Sequence, residues 1–188
     1  ATDPLNASNL ASGTVPTARL GSGTASSSTF LRGDSTFAEA GGGTNKPAFK
    51  AVLSSTQSIN NATGTVIAFA TEQLDTDNCF NTSTYRFTPN VEGDYIFVVA
   101  GLIEHGNSAG EYGDISIQKN GNKVIAMRHI QSGDTTMSGS LMSTGTTHMN
   151  GTSDYAQGVI YHNHGTSQNL DSNEDFTYFM GYRLEGTR

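Results

Sequence analysis

Across residues 45–188, apolar and polar positions alternate in short runs broken by turn-forming clusters, the period-two pattern of strands with one buried face. Runs at 48–53, 65–70, 85–88, 94–103, 114–118, 123–130, 138–142, 155–162 and 176–184 read as strands. The clearest local signal is Ile115-Ser-Ile-Gln-Lys-Asn-Gly-Asn-Lys-Val-Ile125, where Asn120-Gly121 suits the positive dihedrals of a tight type I′ hairpin. About nine strands without a credible helix predict an all-β sandwich or jelly roll.

Residues 1–44 have a different pattern. They hold 14 Ser or Thr and 7 Gly, with Phe30 and Phe37 as their aromatics, too little apolar surface to offset the entropy of ordering. That composition fits a flexible linker. Against it, Leu5, Leu10, Val15, Leu20, Ala25 and Phe30 recur every five residues, a period foreign to both helix and strand, while Ala7, Ala11, Ala18 and Leu31 fall off the register. Such a stripe can be buried when identical chains wind about one axis, each covering the others, so the segment reads as a trimeric shaft repeat or linker ending at the Gly41-Gly42-Gly43 joint.

The chain has 188 residues, with 20 Ser, 24 Thr and 22 Gly, 35% hydrophobic residues and a formal charge of −7. The absence of a basic cluster argues against nucleic acid as a partner. No apolar run reaches the roughly 18 residues of a membrane span, and no charged segment followed by an apolar one opens the chain, so neither membrane insertion nor a retained signal peptide is expected. Because Ala1 falls in mid-pattern, the sequence is read as a fragment of a longer protein. A lone Cys79 closes no internal disulfide, leaving packing and oligomerisation to supply stability.

Two resemblances refine this reading. Asn6-Ala-Ser-Asn-Leu-Ala-Ser-Gly-Thr-Val-Pro-Thr-Ala-Arg-Leu-Gly and Gly23-Thr-Ala-Ser-Ser-Ser-Thr-Phe-Leu-Arg-Gly-Asp-Ser-Thr-Phe37 resemble the short shaft repeats of bacteriophage tail fibres. Farther on, Phe69, Asp75, Phe80, Phe87, Gly93, Tyr95 and Phe97 resemble the signature of the globular heads of the complement-one-q family, trimeric jelly rolls related to tumour necrosis factor. Val99 replaces the usual final aromatic, and Phe179-Met-Gly-Tyr-Arg-Leu184 resembles the closing strand, with Arg183 where an apolar residue is commoner. The second resemblance covers 45–188. It implies a ten-stranded-type jelly roll that forms a homotrimer, with both termini at one end and binding loops at the other.

The reactive residues give little support to catalysis. There is no Gly-x-Ser-x-Gly elbow, no phosphate-cradling loop with Lys and no His pair at metalloprotease spacing, so no enzyme is expected. His162-Asn163-His164 spells a nuclease family's name without the ββα-metal unit such enzymes need; two His at a strand end could meet a metal or anion on a threefold axis, the competing reading being a solvated loop. Asp171, Asn173 and Asp175 offer hard oxygen ligands for calcium or another divalent metal, but Phe176 stands where a calcium loop of the helix-loop-helix kind needs Gly. The Asn-x-Ser/Thr patterns at Asn6, Asn61, Asn81 and Asn150 are expected by chance in so Ser/Thr-rich a chain.

The chain therefore reads as the receptor-binding tip of a phage tail fibre, carried on the virion and acting outside the host cell. Its partners would be two further copies of itself, the rest of the fibre through the N-terminal shaft, and a bacterial surface polysaccharide or outer-membrane receptor. By family topology the connections at 90–92, 119–122 and 162–175 build the apex, making Asn90, Glu92, Asn120, Asn122, Tyr161, His162, Asn163 and His164 candidate contacts. Asn and Tyr suit sugars, whose hydroxyls take planar hydrogen-bonding partners and whose ring faces stack on aromatics. The alternatives are a trimerisation and folding cap without receptor contact, and an adhesin of a bacterial surface.

Overall fold

The computed structural model describes residues 16–39, 46–104, 109–132 and 138–184. The chain divides into two units, Ala1–Thr44 and Asn45–Arg188.

In the first unit a 3-10 turn, Thr17–Arg19, precedes a hairpin of β1 (Thr29–Leu31) and β2 (Phe37–Glu39). The sequence predicts no strands here. The hairpin forms because Asp34 Oδ1 accepts from the backbone N and Oγ1 of Thr36 at 3.0 and 2.6 Å, turning the chain between the strands. Leu20 and Phe30 of the five-residue stripe are 42% and 60% exposed, so the hairpin does not bury them; Leu5, Leu10 and Val15 lie outside the described residues.

The second unit is a β-sandwich with the jelly-roll arrangement expected. One sheet runs β11 (Asn122–Ile130), β10 (Tyr112–Lys119), β13 (Ala156–His162), β8 (Arg86–Phe87), β7 (Phe80–Asn81), with β5 (Thr65–Val66) also on β13. The other runs β4 (Gln57–Ile59), β14 (Gln168–Leu170), β9 (Glu92–Glu104), β15 (Tyr178–Arg183), β3 (Ala48–Val52), β6 (Thr71–Asp75), with β12 (Ser138–Asn150) also on β9. No α-helix occurs among the described residues.

Between the sheets lies an aromatic core. Phe49 stacks on Phe87 at 4.4 Å and on Phe80 at 5.0 Å between ring centroids, and meets Phe179 edge-on at 4.8 Å. Phe69, Phe97 and Tyr95 complete the cluster, all fully buried. The aromatic residues of the signature, Phe69, Phe80, Phe87, Tyr95 and Phe97, are thus residues of the core. Asp75 serves it from the rim: its carboxylate accepts from the backbone N–H groups of Cys79 and Phe80 at 3.0 and 2.7 Å, fixing the entry into β7. Val99, where the pattern has an aromatic, packs against Gly158, at which a Cβ would stand 2.9 Å from Val99 Cγ2 and 3.0 Å from Phe69 Cε2. Arg183 is tolerated because its Nε donates to Glu92 O at 3.2 Å at the sheet's end.

Where the strands depart from the predicted runs, polarity explains it. The run at 65–70 shortens to Thr65–Val66, because Phe69 N bonds back to Ile67 O within its own segment. The short strands β4, β6, β7 and β14 were not predicted; β6, Thr-Glu-Gln-Leu-Asp, is an edge strand with no apolar alternation. β12 runs on to Asn150 through Ser, Thr and Gly, paired with β9 along its whole length and anchored in the core by Leu141 and Met149.

Candidate ligand-binding surface

Antiparallel pairing places successive connections at alternate ends of a sandwich, and this separates the predicted contact loops. Asn90 and Glu92 lead into β9, whose Glu92 pairs with Asn150. The Asn120-Gly121 hairpin lies beside the 150–155 turn, with Tyr155 N donating to Asn120 Oδ1 at 3.0 Å. Arg183 N bonds to Pro47 O at this same end, where the second unit begins and closes. The 162–175 segment is at the opposite end, with Asn163 N on Tyr112 O and Asp171 N on Leu102 O. The length of β10, roughly 24 Å, separates the two groups. Asn90, Glu92, Asn120 and Asn122 therefore do not share an apex with His162, Asn163 and His164, which corrects the single predicted cluster.

Several of these side chains are committed to the fold. Asn120 and Gly121 take φ of 52° and 80°, as a type I′ turn requires, and Asn120 Nδ2 donates to Asp154 Oδ1 at 2.7 Å. Lys119, whose Nζ lies 2.7 Å from Asp154 Oδ2, and Asn120 hold the Asp154 carboxyl below its usual range through their hydrogen bonds to it. Asn90, Glu92 and Asn122 are exposed. The two histidines predicted in a solvated loop are buried instead. His162 Nε2 lies 2.9 Å from Ile59 O, and its ring centroid is 4.8 Å from that of His164. They turn inward where β13 ends against β4, whose Ile59 carbonyl meets the His162 ring. Asn163 is half-buried, its Oδ1 accepting from Tyr112 N at 2.6 Å.

Asp171, Asn173 and Asp175 are exposed, and oxygens of the first two hold their own loop: Asp171 Oδ1 accepts from Asn173 N at 2.6 Å and Asn173 Oδ1 from Asp175 N at 3.0 Å. Among the described residues no group of three or more His, Cys, Asp or Glu is arranged to hold a metal ion.

Tyr161 belongs to neither end loop. It faces outward from β13, its ring stacked on Tyr112 at 5.6 Å, and the hydrogen bond between the two phenols pushes its pKa up. Beside it lies a groove that the sequence did not single out. Asp114, 6% exposed, accepts two hydrogen bonds from Arg128, from Nε at 2.6 Å and Nη2 at 2.8 Å, and Lys123 Nζ stands 3.7 Å away. The Arg128 hydrogen bond holds the Asp114 carboxyl below its ordinary range. Arg128 also lies over the Tyr112 ring at 4.0 Å. The polar face continues along β13: Gln157 Nε2 donates to Gln118 Oε1 at 3.4 Å, Arg86 Nε donates to Gln157 Oε1 at 3.3 Å, and Arg86 covers the Tyr155 ring at 3.9 Å.

The other sheet turns a contrasting surface outward. Opposite the core-facing Tyr95, Phe97 and Val99, β9 directs Ile96, Val98 and Ala100 to the other face, Ile96 and Val98 half-buried and Ala100 buried among its neighbours. Registry places Met180 and Tyr182 of β15 beside Val98 and Ile96, and Met142 of β12 beside Ala100. Met142 and Tyr182 are 50% and 46% exposed.

Comparison with known proteins agrees with this architecture. Residues 48–157, more than half of the chain, match the C1q domain family. Among solved structures, murine APRIL at pH 5.0 superposes with a TM-score of 0.55 at 15% identity, covering 74% of this chain and 99% of that one. The globular domain of zebrafish complement 1qA protein superposes with a TM-score of 0.51 at 16% identity, covering 75% and 99%. No curated protein matches the chain.

Proposed function

The chain belongs to the C1q domain family, and on that premise we propose that residues 45–188 form a binding head that works as a homotrimer, the receptor-binding tip of a phage tail fibre adhering to polysaccharide on a bacterial surface. The observation that carries the reading is β9. A strand of a two-layer sandwich has one face against the core and ordinarily alternates apolar with polar. Here Tyr95–Phe97–Val99 fill the core, while the opposite face of β9 is apolar as well: Ile96 and Val98 are half-buried there beside Met180 and the more exposed Tyr182 and Met142, and Ala100 is already covered by its neighbours. Two further copies of the chain are the occupants that face calls for, because three such faces around one axis cover one another.

Heads of this family act by binding rather than by catalysis, and exposed loops and grooves are where recognition resides. The shaft-like phrases in 6–37 support a tail fibre as the setting, and the exposed Leu20 and Phe30 suit a segment covered by sister chains. Three copies on one tip, and several fibres per particle, would give useful adhesion from weak single sites.

The test is adsorption of labelled chain to a panel of bacterial cells and their extracted surface polysaccharides, with and without chelator. Selective binding supports a receptor-binding tip, and its loss in chelator would bring a metal into the site. Absence of binding across a panel containing the true host would replace this reading with a trimerisation cap.

A further inference from the structure

We propose that the groove on the outward face of β10, β11 and β13 binds an anionic glycan, one whose sugars carry carboxylate or phosphate. It is a surface separate from the end loops and lies on the sheet opposite the apolar face of β9, so a trimer closed through that face leaves it open.

Charge is the first argument. The chain carries −7 overall, yet Lys123 and Arg128 line this groove against one carboxylate among its described lining residues, Asp114, and Arg86 adds a further cation farther along β13. Two donors of Arg128 already satisfy Asp114, so the face keeps a surplus of positive charge and of N–H donors directed at solvent. In a negatively charged molecule such a focus attracts an anion while the remainder of the surface repels it.

Shape is the second. The groove encloses about 370 Å³, within the range that holds small ligands. Its floor is Ser116 and Val159, and its walls are the Tyr112–Tyr161 stack on one side and Lys123 on the other. The guanidinium is locked by Asp114, which takes its Nε and Nη2 donors, and by the Tyr112 ring, and so stands as a fixed planar cation beside which, with Lys123, a carboxylate or phosphate can seat. Gln118, Gln157 and Arg86 extend the polar track towards Tyr155, about 20 Å along β13 from Tyr161, a length that suits several linked sugars.

The experiment is titration calorimetry of the trimeric chain with oligogalacturonate, with oligo(glycerol phosphate) and with a neutral glucose oligomer. Lys123→Gln removes one cation from an exposed position. Gly64→Phe fills the groove without touching the Asp114–Arg128 pair, since the only atom near a Cβ there is Val159 Cγ1 at 3.9 Å. Binding of one acidic probe, weakened about tenfold or more by either variant and by raised salt, supports the inference, and the better probe identifies the acidic group. Equal binding of the neutral oligomer, failure of both acidic probes, or full affinity in both correctly folded variants would overturn it. The adhesion reading falls separately: wild-type chain that binds the acidic probe but adheres to no cell leaves the groove standing, and variants that adhere as wild type while losing the probe confine the groove to an accessory role.

Discussion

Tyr95 sits wholly inside the core with its Oη donating to Val91 O at 2.7 Å, and burial pushes its pKa up to about 12. An unfolded chain loses that proton near pH 10. The folded state therefore holds the proton more tightly: the stabilisation is complete below about pH 10 and is lost as pH rises through 12. Urea unfolding between pH 8 and 12 should show this decline, and Tyr95→Phe should flatten it at a cost of about 1 kcal/mol near neutrality from the lost hydrogen bond. Asp114 works in the opposite direction. Arg128 lowers its pKa, so its contribution is present above the ordinary value of 3.8 and is lost as pH falls through the lower folded value. Asp114→Asn should abolish that part of the acid destabilisation, read as the urea midpoint between pH 2 and 6. The two residues differ in legibility. Tyr95 announces itself by alternating with Phe97. Asp114 did not, because counting back from the Asn120-Gly121 turn sets Met127 opposite it, whereas an irregularity between Ile117 and Gln118 shifts the register and brings Arg128 there instead.

Among the elements, β15 crosses β9 so closely that Gly181 has no room for a side chain: a Cβ there would lie 2.5 Å from Phe97 Cδ1 and 2.9 Å from Ile96 O. Gly181→Ala should cost about 1–3 kcal/mol by overpacking, measured as a lower urea midpoint with the fold retained in circular dichroism. Strands that line the core could be read from sequence because burial imposes alternation on them; β9, β10 and β13 all fall where the apolar runs are. Strands that are mostly polar could not: β6, β14 and the far half of β12 offer at most one buried apolar residue each, Leu170 in β14 and Met149 in β12, too few to show an alternation. The histidines failed for a related reason. Their neighbours Asn163, Gly165 and Thr166 mark a turn, but that β4 would meet the His162 ring depends on contacts far away in sequence.

For the whole molecule, the uncovered face of β9 predicts association. Light scattering at micromolar concentration should give about three chain masses. Val98→Glu, which places a charge in the middle of that face and away from the core, should reduce the mass to one chain while leaving the fold intact by circular dichroism. The end-to-end arrangement could also have been anticipated: each antiparallel strand reverses direction, so the connection before β9 and the one after β10 must share an end, and the one after β13 must take the other. That arrangement has a mechanical side. Pro47 and Arg183 meet at one end, whereas the 162–175 loop is at the other. A pull between Pro47 and Arg183 would peel β3 from β15 one hydrogen bond after another. Tension between Pro47 and the far loops runs along the strands, loading the bonds of β3 to β15 and β6 in shear and all at once. A head anchored at the far end would resist being torn from a surface far better than its thermodynamic stability alone implies.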